Sequence, residues 1–173
     1  MLIDVIVVLI IFYYIVMGFR RGIWLSSLHL LATIVSLIIA HHFYRSIAKQ
    51  LIVFIPFPKT IAYDTAYAFH FNELQQRFDT IFAFILIMFI SKLLLYLIIV
   101  TFDNIVTYQN IALISRILGC VISPVLAIIL LQLALYIVAL YPVDWLQQSL
   151  SHSIIGSGIL FHTPWLSSYI LNL

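Results

Sequence analysis

A lysine placed deep in an apolar run is the side chain of this sequence with the most chemistry to offer. Lys92 lies within the stretch Thr80 to Phe102, about ten residues or ~15 Å from either end of it as a helix. A charge at the centre of a bilayer costs at least ~2.5 kcal/mol on insertion scales. Lys92 therefore faces a polar cavity or a subunit contact, or it snorkels, or its helix is shifted to about 71–91 and brings it to an interface. Gln132 is the corresponding polar residue of the stretch Ile117 to Leu140.

Two carboxylates flank the apolar runs. Asp103 follows the Lys92 run, on the side shared with Arg21 and Arg116. A structural ion pair is the plain expectation, and an ion-conducting role the sharper one. Asp4 begins the first run, where negative charge favours a helix start. The six histidines make no metal pattern. His41 and His42 are adjacent and point to different faces, and His29 and His70 have no acidic partner at ligand spacing. No zinc-protease motif, nucleophile elbow or phosphate loop is present, so neither an enzyme nor a cofactor is expected. Cys120 is the single cysteine, which excludes an intrachain disulfide.

These residues must be positioned by elements that are almost wholly apolar. The chain has 173 residues, of which 65% are hydrophobic and 8% charged. Its mean hydropathy is +1.20. Soluble domains carry about 25% charged residues, so the expectation is one polytopic membrane domain over 1–173 with lipid as its solvent. The formal charge of +2 gives no reason to expect nucleic acid. The first run has its charges after it and no small-residue cleavage site, so it reads as a retained span.

The stretch Gly18-Phe19-Arg20-Arg21-Gly22 divides the first forty residues. Each half is about 18 residues, or ~27 Å as a helix, close to a hydrocarbon core of ~30 Å. The spacing predicts two spans, 2–19 and 23–40, joined by a very short turn. Glycine tolerates the backbone angles such a turn needs, and a turn explains the Gly18/Gly22 spacing better than a G-x-x-x-G packing face. Ser26, Ser27, Thr33 and Ser36 could bond across helices. Two more spans are expected at 80–102 and 117–140, the last kinked at Pro124.

Between the second and third spans, apolar residues recur every three or four positions from Tyr63, which predicts an amphipathic interfacial helix over 63–77. In the tail, Val143, Leu146, Leu150 and Ile154 face away from Asp144, Gln147, Gln148 and Ser151. That pattern predicts a second amphipathic segment lying on the surface, about 143–171, with Trp145, Trp165, Tyr141 and Tyr169 at the headgroup level. The fold class expected is therefore all-α, four transmembrane helices in two hairpins plus interfacial helices. The short connections carry Arg20, Arg21 and Arg116, and the long side carries Arg45, Lys49, Lys59 and Arg77. The double arginine points to cytoplasmic short turns.

This layout resembles the colicin V production protein (CvpA) family of bacterial inner-membrane proteins. The residues that carry the likeness are Asp4, then Gly18, Arg21 and Gly22 at the first turn. Arg116, Leu118 and Gly119 follow at the start of the last span, with Ser149, Ser151 and Ser153 in the tail. A further family glycine is replaced by Ser123, followed by Pro124, which argues against close glycine-mediated packing of that span. The resemblance implies a role in producing or exporting a peptide toxin, and in envelope and biofilm fitness. It brings no catalytic residues. The rival reading from the residues is a small oligomeric channel or transporter with Lys92 and Gln132 on its path. Either way the partners expected are the bilayer and a second copy or another membrane protein.

Overall fold

The structure, a computed structural model, describes residues 2–51, 57–58, 62, 65–106 and 112–172, without the side chains of 102–106. Helices account for most of it and no strand occurs among the described residues. They are α1 (Leu2–Leu51), α2 (Leu74–Val106), α3 (Leu113–Leu140), α4 (Asp144–Ser151), α5 (Ile154–His162) and α6 (Leu166–Leu171). Three are long and apolar enough to cross a membrane: α1, α2 over Leu74–Thr101, and α3.

α1 is not one rod. Gly22 interrupts it with φ 73° and ψ −179°, a region essentially closed to residues with a Cβ. The contacts on either side show what the interruption does. Gly18, before the break, packs on Ser123, and Ser26, after it, shares a hydroxyl–hydroxyl bond of 3.3 Å with the same Ser123. Further out, Asp4 meets Ser153 and the His41 ring meets Tyr169, so both ends of α1 reach the C-terminal tail. A straight helix would hold Asp4 and His41 roughly 55 Å apart. The two arms of α1, 2–21 and 23–51, therefore fold back on each other at Gly22. The second arm buries Ser26, His29, Ala32, Thr33, Ser36, Ala40, Tyr44 and Ala48, a stripe at helical spacing made mostly of small residues, which lets backbones approach closely. Among the described residues, Ser26 is the hydroxyl of this stripe that bonds across helices. Thr33 and Ser36 donate to the carbonyls of His29 and Ala32 one turn back, at 2.9 and 2.7 Å.

α3 packs along α1, which also packs along α2, while α2 and α3 touch each other more lightly. α3 runs as one helix through Pro124. The main core lies at the end of the bundle away from Gly22, where Ile81, Phe84, Leu140, Leu150, Leu160 and Ile170 are fully buried.

Two expectations about the amphipathic segments need correction. The described residues 65–73 are not helical. Glu73 has φ 56°, which stops α2 from extending backwards. Phe69 and Phe71 instead pack on Phe161 of α5, and Phe71 also meets Tyr136. Tyr63 and Asp64 lie outside the described residues. The tail, set off from α3 at Pro142, is helical but broken at His152–Ser153 and again at Pro164 into three short pieces, and it packs against the bundle through Leu150, Leu160 and Ile170. Gln147, expected on the wet face of α4, is buried with Leu150.

Candidate functional site

Polar side chains in this bundle gather at three places, and the first is the tail. Asp4 accepts a 2.7 Å bond from the Ser153 hydroxyl and a 2.9 Å bond from the Ile155 amide, while Ser153 Oγ accepts from the Gly156 amide at 3.0 Å. The opening turn of α5, whose amides have no partner within their own helix, is thus capped by a serine and by a carboxylate from the far end of the chain. A carboxylate suits that place on dipole grounds as well.

Gln132, fully buried on α3, donates to the Leu160 carbonyl at 3.3 Å and to Ser167 Oγ at 3.0 Å. Its own carbonyl oxygen has no described partner. Arg77 holds the last turn of the tail. Its guanidinium donates to the Leu171 carbonyl at 2.7 Å, to the Tyr136 hydroxyl at 2.9 Å and to the Asn72 carbonyl at 3.0 Å.

Gln147 closes the end of α3. The carbonyls of Val138 and Ala139 need donors one turn ahead, but Pro142 has no N–H and the Val143 amide goes to Tyr141. Gln147 Nε2 supplies them at 3.0 and 3.3 Å, and reaches the Tyr141 carbonyl at 2.8 Å. Gln147 Oε1 accepts from the Ala68 amide at 3.1 Å, pinning 65–73 to the tail. Nearby, burial pushes the Tyr67 phenol above its ordinary range, and its hydroxyl has no described partner.

The second place is the reversal. Gly119 of α3 lies between Gly18 and Gly22, so close that a Cβ on it would overlap the Gly18 carbonyl and lie 2.9 Å from the Gly22 carbonyl carbon. The expectation that α3 lacks glycine-mediated packing is overturned: Gly119 makes the close approach, and Ser123 carries the seam one turn further. The Ser115 hydroxyl accepts from the Ile23 amide at 3.1 Å, supplying a partner for the first turn of the second arm. The Arg116 guanidinium stands over the Phe19 ring at 5.8 Å, with its Nε buried and without a described partner. Arg20 is exposed and Arg21 half-buried beside it. Cys120 Sγ sits 3.6 Å from the Ile15 carbonyl. The side chain of Asp103 lies outside the described residues, so its expected pairing with Arg21 or Arg116 does too.

The third place is Lys92. It lines a cleft of about 420 Å³ between α2 and α3, whose other walls are Ile85, Met88, Phe89, Leu130, Leu133 and neighbouring apolar residues. Lys92 is half-buried, and α2 begins only at Leu74. Lys92 therefore lies within a helix longer than one bilayer crossing, and it is not at the end of that helix.

The structure brings Asp4 to the tail and gathers Gly18, Gly22, Gly119 and Arg116 at the reversal, with Gln132 under α5 and Lys92 in the cleft between α2 and α3. Arg77 and Gln147 were missed as site residues. The signal for Gln147 was available: a helix ending just before Pro142 has carbonyls that need outside donors. No group of three metal-binding side chains occurs among the described residues.

Comparison with known proteins agrees with this architecture. The uncharacterized transmembrane protein YshB of Bacillus subtilis (strain 168) is 29% identical over 172 residues, covering 99% of this chain and 97% of the relative. No solved structure matches the chain. The family model described as colicin V production protein matches residues 3–164. A match of that extent takes in the whole bundle and leaves only α6 of the tail outside it, and the chain belongs to the colicin V production protein family.

Proposed function

We propose that this protein is a four-span scaffold of the bacterial cytoplasmic membrane that assists production or export of a peptide toxin and supports envelope and biofilm fitness. On this reading the two arms of α1 each cross the bilayer, with α2 and α3 as the third and fourth spans. The chain has no catalysis of its own. The observation that carries the scaffold reading is where the polar groups are used. Asp4, Arg77, Gln132 and Gln147 all bond to the chain's own backbone or hydroxyls and fasten the tail to the bundle. A conduit would need such groups turned towards a path. The toxin process itself comes from the family match over residues 3–164.

The test is deletion in a toxin-secreting host, with measurement of secreted activity and of survival under envelope stress. Both should fall and return with the wild-type chain; unchanged secretion and tolerance would sink the reading. Topology is tested separately by labelling single cysteines at Arg20, Thr60 and Asn172 in a Cys120→Ser background. Position 20 should report one side of the membrane, and 60 and 172 the other. The channel reading is the weaker one, since Lys92 is the single polar residue among the described residues that line its cleft. Sealed vesicles that stay tight at high protein density would dispose of it.

A further inference from the structure

Among the described residues, Lys92 is a cation without an anion. No hydrogen bond or ion pair joins its ammonium to any described residue, and the charge that reaches it is that of Arg21, of the same sign. It stands well inside α2, roughly 20 Å or more along the helix from either end. The chain has six acidic residues: Asp4, Asp64, Glu73, Asp79, Asp103 and Asp144. Asp4 is committed to Ser153 and Ile155, and none of the six belongs to the middle of α2 or α3. Among the described residues, therefore, no carboxylate pairs with Lys92.

The surroundings say what form the counter-charge takes. Lys92 lies in the cleft where α2 and α3 separate, beside Met88, Phe89, Leu133 and Ala134. On the outer side of α2, Phe89, Ile90, Leu93, Leu94 and Leu97 are all half or more exposed. An apolar cleft running along two helices, with one cation in its wall, fits an apolar rod carrying one carboxylate at matching depth. Intramembrane charges persist where they pair with each other or face a protein interior, and polar pairs between helices stabilise association in lipid.

We propose that the α2–α3 cleft docks a transmembrane helix of another membrane protein, one bearing an aspartate or glutamate near its centre, and that Lys92 is the recognition point. The proposal deepens the scaffold reading, and rests on it, by stating what the scaffold holds.

The test uses the full chain in bacterial membranes with a designed partner, a leucine/alanine transmembrane helix carrying one central aspartate, and reads proximity by energy transfer. Association should exceed that of the all-leucine helix by roughly tenfold and should be lost in Lys92→Met. Lys92→Met removes a charge from the membrane interior, and its thermal midpoint should be no lower than that of the wild type, so that the loss reports docking. Restoration by Lys92→Asp against a helix with a central lysine would confirm the pairing. Equal association with the all-leucine helix overturns the proposal. So does a Lys92-dependent signal that appears only between two copies of this chain, or only with anionic lipid present. Charge-dependent docking alongside unchanged toxin secretion supports the proposal and overturns the toxin reading alone.

Discussion

Gly18 and Gly119 face each other so closely that a Cβ built on either overlaps the carbonyl oxygen of the other. They are a hundred positions apart in the chain, and they join the first arm of α1 to the start of α3 with no side chain between. Alanine at either site forces the helices apart. Gly119→Ala should cost about 1–3 kcal/mol, the range of overpacked interiors, seen as a lower thermal midpoint of the detergent-extracted protein. Gly158, with nothing near its Cβ position, should accept alanine with no loss, and equal loss at both sites would refute the seam.

Gly22→Ala tests the reversal. The φ of 73° with ψ near 180° belongs to a region that costs a residue with a Cβ about 1–3 kcal/mol. The variant should lose stability, and a cysteine pair placed at Ser26 and Ser123 should crosslink less readily in it.

Asp4 and Ser153 should be energetically coupled. Asp4→Ala and Ser153→Ala each uncap α5, so the double variant should cost less than the sum of the two. The expected interaction energy is about 0.5–3 kcal/mol, as for residues sharing one bond network. Amide exchange across 153–172 is the direct readout, and it should rise in both single variants. Additive losses would show that the two side chains act separately.

The two buried glutamines should differ. Gln147→Leu strands the Val138 and Ala139 carbonyls and the Ala68 amide, at about 1–3 kcal/mol for a buried group left unpaired. Gln132→Leu removes one donor but also an oxygen that has no described partner, and hydrogen bonds between membrane helices average only about 0.6 kcal/mol. Thermal midpoints should therefore rank wild type, then Gln132→Leu, then Gln147→Leu. The reverse order would mean that Gln147 is not the cap of α3.

How far the residues alone lead depends on sequence distance. The break at Gly22 was legible because two arginines inside an apolar run leave few placements in lipid, and glycine permits the required angle. The same glycines, taken locally, predict a turn only, since nothing local ties Gly18 to Gly119. The period of the tail puts Gln147 with Asp144 and Gln148 on the wet face. The end of α3 overrides that period, because Pro142 removes a donor and α4 is near enough to supply one. Residues 65–73 misled in the opposite way: their spacing is helical, but Glu73 takes a positive φ and their aromatic rings find Phe161 and Tyr136 instead of an interface. Lys92 was conspicuous from the start, and its surroundings needed α3, which the sequence does not place.

The bond between Asp4 and Ser153 has a bearing on how the molecule is made. A ribosome delivers Ser153 only after 148 other residues have followed Asp4. Until then the carboxylate at the head of the bundle has no capping partner from α5, and Gln132 waits for the same late segment. Closure of this end therefore follows delivery of all three long helices, and a nascent chain arrested before Ser153 leaves the Asp4 carboxylate and the Gln132 amide without these partners.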